Sequence, residues 1–357
     1  MSVLSLRLRR LILVTAGLCS PLWTCSAFGL ETVTRRGGKS VSGDVSEISK
    51  TEVVVKVKTP KEETVSIPAN EVLNIAWSGE AAEAGVARSD DNAGRYQKAI
   101  EGYQKSLQTG KSTNPNAKID LEYGITRATA RQALADLPQI DASIKQLEAF
   151  RGQEHYRHFE AVQLLGNLYL AKQDYARAAA AFEAYGKAPW KEYRLASKIS
   201  LARVKLAEKN LDEALSLYES VLADSTEGTG ETAQKQEASL GKSRVLLAQQ
   251  KPADALQLLN SVIAAADPDE VTLHAEAFLR QGDCLRELGK DKDAVLAYLR
   301  VDLLFSAAKP QHAESLYQLA KLWAKVGRPE RAEEARDRLL AEYPNSEWAG
   351  RMKSTAG

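Results

Sequence analysis

Histidine, cysteine and methionine are scarce in this 357-residue chain, at four, three and two residues. Four histidines (His155, His158, His274, His312) leave little material for metal ligation or proton transfer. His155 and His158 share a helical face at i, i+3, but no further histidine or cysteine lies nearby in sequence to complete a ligand set. Cys19 and Cys25 fall within the first 25 residues, so Cys284 stands alone in the rest and cannot form an internal disulfide. An excess of one charge is also missing. There are 48 basic and 47 acidic residues, net +1, which provides no electrostatic footprint for nucleic acid. No apolar run reaches the length needed to span a bilayer. A phosphate-cradling glycine loop ending in Lys-Ser/Thr and a Gly-x-Ser-x-Gly elbow are both absent. Carboxylates stand three or four places from Lys or Arg, as in Glu330–Arg338, which is the spacing of a solvated helix face. The chain is therefore expected to be no enzyme and to carry no metal or cofactor.

What the chain has is a repeated pattern of small residues set between large ones. From Phe159, Val162 is followed by Leu165-Gly166, Tyr169, Ala178, Phe182 and Pro189. From Ala313, Leu316 is followed by Leu319-Ala320, Trp323, Ala332, Leu339 and Pro344. Three further copies start near Leu195, Gln236 and Ala275. Each copy reads as two amphipathic helices that touch at a small residue on the first (Gly166, Ala202, Ser243, Gly282, Ala320) and an alanine on the second (Ala178, Ala214, Ala255, Ala294, Ala332). A large side chain at either place would hold the helices apart. The tips between them are Lys172–Asp174, Glu208–Asn210, Gln249–Pro252, Gly289–Asp291 and Gly327–Pro329. One such pair cannot bury its own apolar stripe, so neighbours must stack.

These offsets resemble the tetratricopeptide repeat, a pattern of about 34 residues. The resemblance implies a mainly α protein, with a right-handed superhelical solenoid whose function is binding and not catalysis. Five copies are expected over residues 159–352, with a last helix, Glu347–Met352, capped by Ser346. Residues 95–158 read as diverged helices, Lys118–Leu134 and Gln139–Phe150 among them, and 79–94 as a linker or frayed helix. The run Tyr343-Pro344-Asn345-Ser346-Glu347-Trp348-Ala349 is similar to the repeat ends of secreted tetratricopeptide proteins of the bacterial envelope.

Residues 30–78 differ in character. Short β-branched runs (Val41–Val45, Glu52–Val57, Thr64–Ile67, Val72–Ile75) alternate with turns at Gly37-Gly38 and Thr59–Glu62. The order resembles a five-stranded SH3-like or Sm-like barrel, with Gly43 at a sharp strand bend and Trp77 closing the module. An Sm-like module suggests RNA, but the balanced charge and the lack of interleaved aromatic residues speak against it.

Residues 1–27 read as a secretory signal: Arg7, Arg9 and Arg10, then the apolar Leu11–Leu18, then small residues around Cys25–Ala27. Its removal would take the net charge to −2, since three arginines leave and no acid does. Acylation at Cys25 is the lesser alternative, because Trp23 and Thr24 are bulky for a lipoprotein site. The protein is expected to be exported, periplasmic or secreted, with no membrane span once the leader is gone.

In the resembled family the first helices line the concave side. Carried over, the position after each small residue gives Asn167, Arg203, Arg244, Asp283 and Lys321, and one turn earlier gives Gln163, Ile199, Leu240, Leu279 and Tyr317. The groove would thus pair an apolar strip with cations, suited to a peptide of some acidic character. The expected role is a scaffold or adaptor for a protein or peptide partner in the bacterial envelope. The alternative is a structural or secretion-complex component that self-associates.

Overall fold

The computed structural model describes residues 30–58, 62–135, 139–225 and 228–354. The expected leader, Cys25, Pro138 and most of the Thr59–Glu62 turn lie outside them. The described residues open with five antiparallel strands: β1 (Glu31–Arg35), β2 (Ser40–Ile48), β3 (Glu52–Val57), β4 (Glu63–Pro68) and β5 (Val72–Ala76). They lie in the order β4-β3-β2-β1-β5. Alternation sets the faces: Val53 and Val55 of β3 point into the core. Gly43 marks the place where β2 leaves β1 for β3, pairing with Glu31 while its neighbour Asp44 pairs with Lys56. A Cβ there would sit 2.5 Å from the Lys56 carbonyl oxygen.

The expected barrel is corrected to an open sheet. β4 and β5 are its two edges and do not pair, with the 3-10 turn Ala69–Glu71 between them. The reason lies in what covers the apolar face. Trp77, Ala117, Tyr156 and Trp190 pack on Val33, Val55 and Ile75, so helices complete the core that barrel closure would otherwise have to complete. Trp77 thus sits between sheet and helices, as its position suggested.

Polar bonds fasten this junction. The Asp120 carboxylate accepts from Trp77 Nε1 (3.2 Å) and from the Tyr156 hydroxyl (2.6 Å). Burial opposes its charge, but Arg157, His155 and the Tyr156 hydroxyl outweigh burial and hold the carboxyl below its ordinary range. Arg157 donates to the Leu73 carbonyl (2.6 Å), Asn70 to Glu192 (3.0 Å), and Lys50 pairs with Glu154 (2.8 Å).

Seven helical hairpins follow. The first two are α1 (Ala82–Asn92) with α2 (Tyr96–Thr109) and α3 (Pro115–Ala135) with α4 (Ile140–Arg151). The segment read as linker or frayed helix is therefore helix α1. The next five pairs are α5 (His158–Ala171) with α6 (Tyr175–Tyr185), α7 (Lys191–Ala207) with α8 (Leu211–Leu222), α9 (Thr229–Ala248) with α10 (Pro252–Ala265), α11 (Val271–Glu287) with α12 (Asp291–Leu304), and α13 (Lys309–Lys325) with α14 (Pro329–Glu342). The short α15 (Glu347–Ser354) ends the stack. Ser346 Oγ caps it by accepting from the Ala349 amide (3.1 Å), and Ala349 and Met352 are buried in the core of the last hairpin.

The small residues are where the helices meet. A Cβ on Gly166 would lie 2.5 Å from the Phe182 ring, and one on Gly282 would overlap Tyr298. Ala178, Ala214, Ala255 and Ala294 are wholly buried opposite. Two further glycines act between hairpins: Gly124 lies against Tyr103 of the preceding hairpin and Gly241 against Tyr218. Six of the hairpin turns share one geometry. A single residue takes a left-handed conformation at Gly94, Gln173, Lys209, Gln250, Gly289 and Gly327. Asp174 and Asn210 then cap α6 and α8, while Pro252 and Pro329 open α10 and α14. No helix among the described residues is long and apolar enough to cross a membrane.

Candidate functional site

First helices of successive hairpins pack on one another, α7 on α9, α9 on α11 and α11 on α13. The side where successive units lie nearest is the inside of the curve, so the first helices line the concave face. Two adjoining recesses open there. One, of about 600 Å³, includes Gln163 and Asn167 of α5, Ser200 and Arg203 of α7, and Gln234 and Glu237 of α9 in its wall. The other, of about 720 Å³, includes Ile199, Arg203, Leu240, Arg244, Asp269 and Glu276. Arg203 and Glu237 belong to both.

The ten residues inferred from the family offsets divide. Gln163, Asn167, Ile199, Arg203, Leu240 and Arg244 come together in these recesses. Leu279, Asp283, Tyr317 and Lys321 line neither. The apolar strip is not a free surface. Ile199 is 1 % and Leu279 0 % exposed, and each packs in a hairpin core, with Leu240 nearly as buried. A position one turn before the small residue faces the partner helix more than the groove. Asp283 is also internal: it accepts from the Tyr298 hydroxyl (2.8 Å) and from Arg280 (2.5 Å). Tyr317 packs on Trp348 at 5.1 Å, with Lys321 over its ring at 5.3 Å.

The offset reading missed the acidic row. Six residues before the small position stand Glu160, Glu237, Glu276 and Glu314, with Ala196 the exception. This recurrence was readable, but helical spacing alone makes any carboxylate look solvated. Two of these carboxylates are engaged by an arginine on the preceding first helix. Arg244 pairs with Glu276, and Arg280 with Glu314 (2.7 Å). Arg127 of α3 approaches Glu160 at 3.5 Å. Burial pushes against ionisation of Glu276, yet Arg244 and Arg280 outweigh it and draw its pKa down to about 2. Glu160 is only half-buried, and Arg157, Arg127 and Arg131 likewise outweigh desolvation and bring it to about 2.

One rung is open. Arg203 is exposed and makes no ion pair among the described residues, although Glu237 lines the same recess. Arg244 is already engaged by Glu276, so the expected cationic strip reduces to Arg203. The larger recess is in fact acid-rich, with Glu237, Asp269, Glu270 and Glu276 facing Arg203 and Arg244.

Three family models, each described as tetratricopeptide repeat, match residues 130–190, 205–277, and 276–302 with 314–346. No curated protein matches the chain. Among solved structures, a tetratricopeptide repeat protein from Parabacteroides merdae is similar at 14% identity and a TM-score of 0.51, over 76% of this chain and 95% of that one. A Rap protein complexed with Competence and Sporulation Factor is similar at 14% identity and a TM-score of 0.50, over 75% and 76%. At such identity both likenesses concern the fold.

Proposed function

Because the chain is a tetratricopeptide-repeat protein, we propose that it is a non-catalytic adaptor whose concave groove takes a segment of a partner protein. The observation that carries this reading is the open rung. In the next hairpin Arg244 is held by a carboxylate, as Arg127 is on α3 two hairpins earlier, whereas Arg203 is left exposed between two recesses. An exposed cation beside Glu237 can accept an acidic side chain while the glutamate accepts a basic one, and the register of a bound segment is then fixed at little cost in burial. The partner segment is accordingly of mixed charge, not simply acidic. The structural neighbour solved with Competence and Sporulation Factor offers a parallel on this fold. The arginines and apolar run of residues 1–18 support export, and with it a partner in the bacterial envelope.

The test is selection from a displayed peptide library followed by affinity measurement. Arg203→Glu should weaken selected peptides at least tenfold, and Lys321→Glu, outside both recesses, should leave them unchanged. Peptides that bind Arg203→Glu as they bind the parent would remove the groove from the proposal.

A further inference from the structure

A third, smaller recess lies where the sheet meets the first hairpins, and it adjoins the groove, sharing Arg36, Arg131 and Glu160 with the wall of the 600 Å³ recess. It holds about 150 Å³, and its wall includes Arg36, Arg88, Arg127, Arg131 and Arg157. These five guanidinium groups come from five places in the chain: the β1–β2 turn, α1, two turns of α3, and the residue before α5. Two carboxylates, Asp120 and Glu160, share the wall.

Partners can be assigned to most of these groups. Arg88 is bound twice by Glu80, at 2.6 Å each. Arg127 and Arg131 hold the buried Asp91 at 2.6 and 3.0 Å. Arg157 holds Glu160 at 3.0 Å. Asp120 is satisfied by Trp77 and Tyr156. The arginines remain protonated at any working pH. Counting Glu80 and Asp91, five cations face four carboxylates and one positive charge is left over.

Two buried donors and one exposed cation are also left over. The Arg36 guanidinium makes no ion pair among the described residues, though it lines the recess. Arg157 Nε is buried with no hydrogen-bond partner. The Tyr123 hydroxyl, on a residue 1 % exposed, is buried and unpartnered as well. Buried donors without partners are rare in folded proteins and mark a missing acceptor. Both belong to residues of one wall, which the exposed Arg36 completes.

We propose that this recess binds a compact, freely diffusing oxyanion, of the class of inorganic phosphate or a small dicarboxylate. The size suits that class: a cavity of about 150 Å³ holds a molecule of roughly six heavy atoms. It has no room for a peptide main chain to run through, unlike the wider groove recess that it adjoins. An anion here would meet planar, multiply donating guanidinium groups of the kind that recognise phosphate and carboxylate. It would also bridge β1–β2 to α3 and α5, and so fasten the sheet to the solenoid.

The experiment is calorimetric titration of the full-length protein with inorganic phosphate and, separately, malonate, at constant ionic strength with chloride as control. The parent should bind at least one probe saturably with a sub-millimolar dissociation constant. Arg36→Ala should weaken it tenfold or more, and Tyr123→Phe severalfold. Neither side-chain group has a partner to lose, so both variants should keep the parent's circular dichroism spectrum. Arg203→Ala, in the groove, should bind as the parent does; it separates this site from the peptide-binding proposal. Absence of saturable binding by both probes would overturn the inference, as would equal binding by the parent, Arg36→Ala and Tyr123→Phe.

Discussion

The N-terminal third and the C-terminal repeats are stabilised in different ways. From α5 onward the chain uses one device again and again: a glycine or alanine under an aromatic ring or against a buried alanine, a left-handed turn residue, and a ladder of arginine to glutamate. Between β1 and α5 the two hairpins repeat parts of this device, with Gly94 at a turn and Gly124 under Tyr103, but the sheet and its junction add contacts that do not recur. There a single buried carboxylate takes bonds from Trp77 and Tyr156, Asp91 holds two arginines, and β5 is tied to Arg157 through a carbonyl. Repetition spreads stability over many equivalent contacts, none decisive. The junction concentrates it in a few polar bonds that are costly to break singly.

The sharpest way to break that contrast is Asp120→Ala. It strands the Trp77 indole and the Tyr156 hydroxyl and should cost about 3–5 kcal/mol. Chemical denaturation should then show the sheet and first hairpins unfolding before the repeats, where the parent unfolds with less separation. A single transition shifted as a whole would mean that the two regions are not energetically distinct.

Acid should divide the regions in the same direction. Burial holds the junction residue His155 neutral, with its pKa lowered from 6.5 to about 4. Between those values the unfolded chain binds a proton that the folded chain refuses. Stability from this group is therefore full above pH 6.5 and falls as pH drops toward 4, by roughly 3 kcal/mol. In the repeats, Glu276 has its pKa lowered from 4.5 to about 2, so its contribution is full above 4.5 and is lost only as pH falls toward 2. Thermal melts from pH 7 to 5 should accordingly weaken the N-terminal transition first, and His155→Gln should flatten that slope. A slope unchanged in His155→Gln would assign the effect elsewhere.

The smallest expected effect tests the repeats. Lys209 is left-handed at φ +65°, at a turn position where other hairpins place Gly289 and Gly327. Lys209→Gly should stabilise by about 1 kcal/mol, since a side chain is disfavoured there. A midpoint in urea that stays put or falls would show that the turn carries no strain.

What could be read from sequence follows the same division. The hairpins were legible because Gly166, Ala202, Ser243, Gly282 and Ala320 recur at fixed offsets, and the structure pairs their helices accordingly. Gly124 and Gly241 were not, because each accommodates an aromatic ring of the preceding hairpin and so falls outside the offset. Leu279 was assigned to the groove by analogy but is wholly buried and lines neither recess, while Ile199 reaches the recess wall with almost no exposed surface. The strands were legible from their β-branched runs, but barrel closure was not, since Trp77 and Tyr156 supply the missing wall from outside the strand region. Asp120 meets Trp77 across 43 positions and Tyr156 across 36, and no local pattern announces a pairing that occurs once.

Held by its two ends and stretched, such a molecule would not lengthen evenly. Hairpins near the C-terminus grip only their neighbours and can peel away one by one, each releasing a similar short length. The sheet is laced forward as far as Glu192, by a bond that joins residues 122 positions apart. Everything inside that lacing has to let go together, so a force trace would record a series of small, even rips and then a single long one.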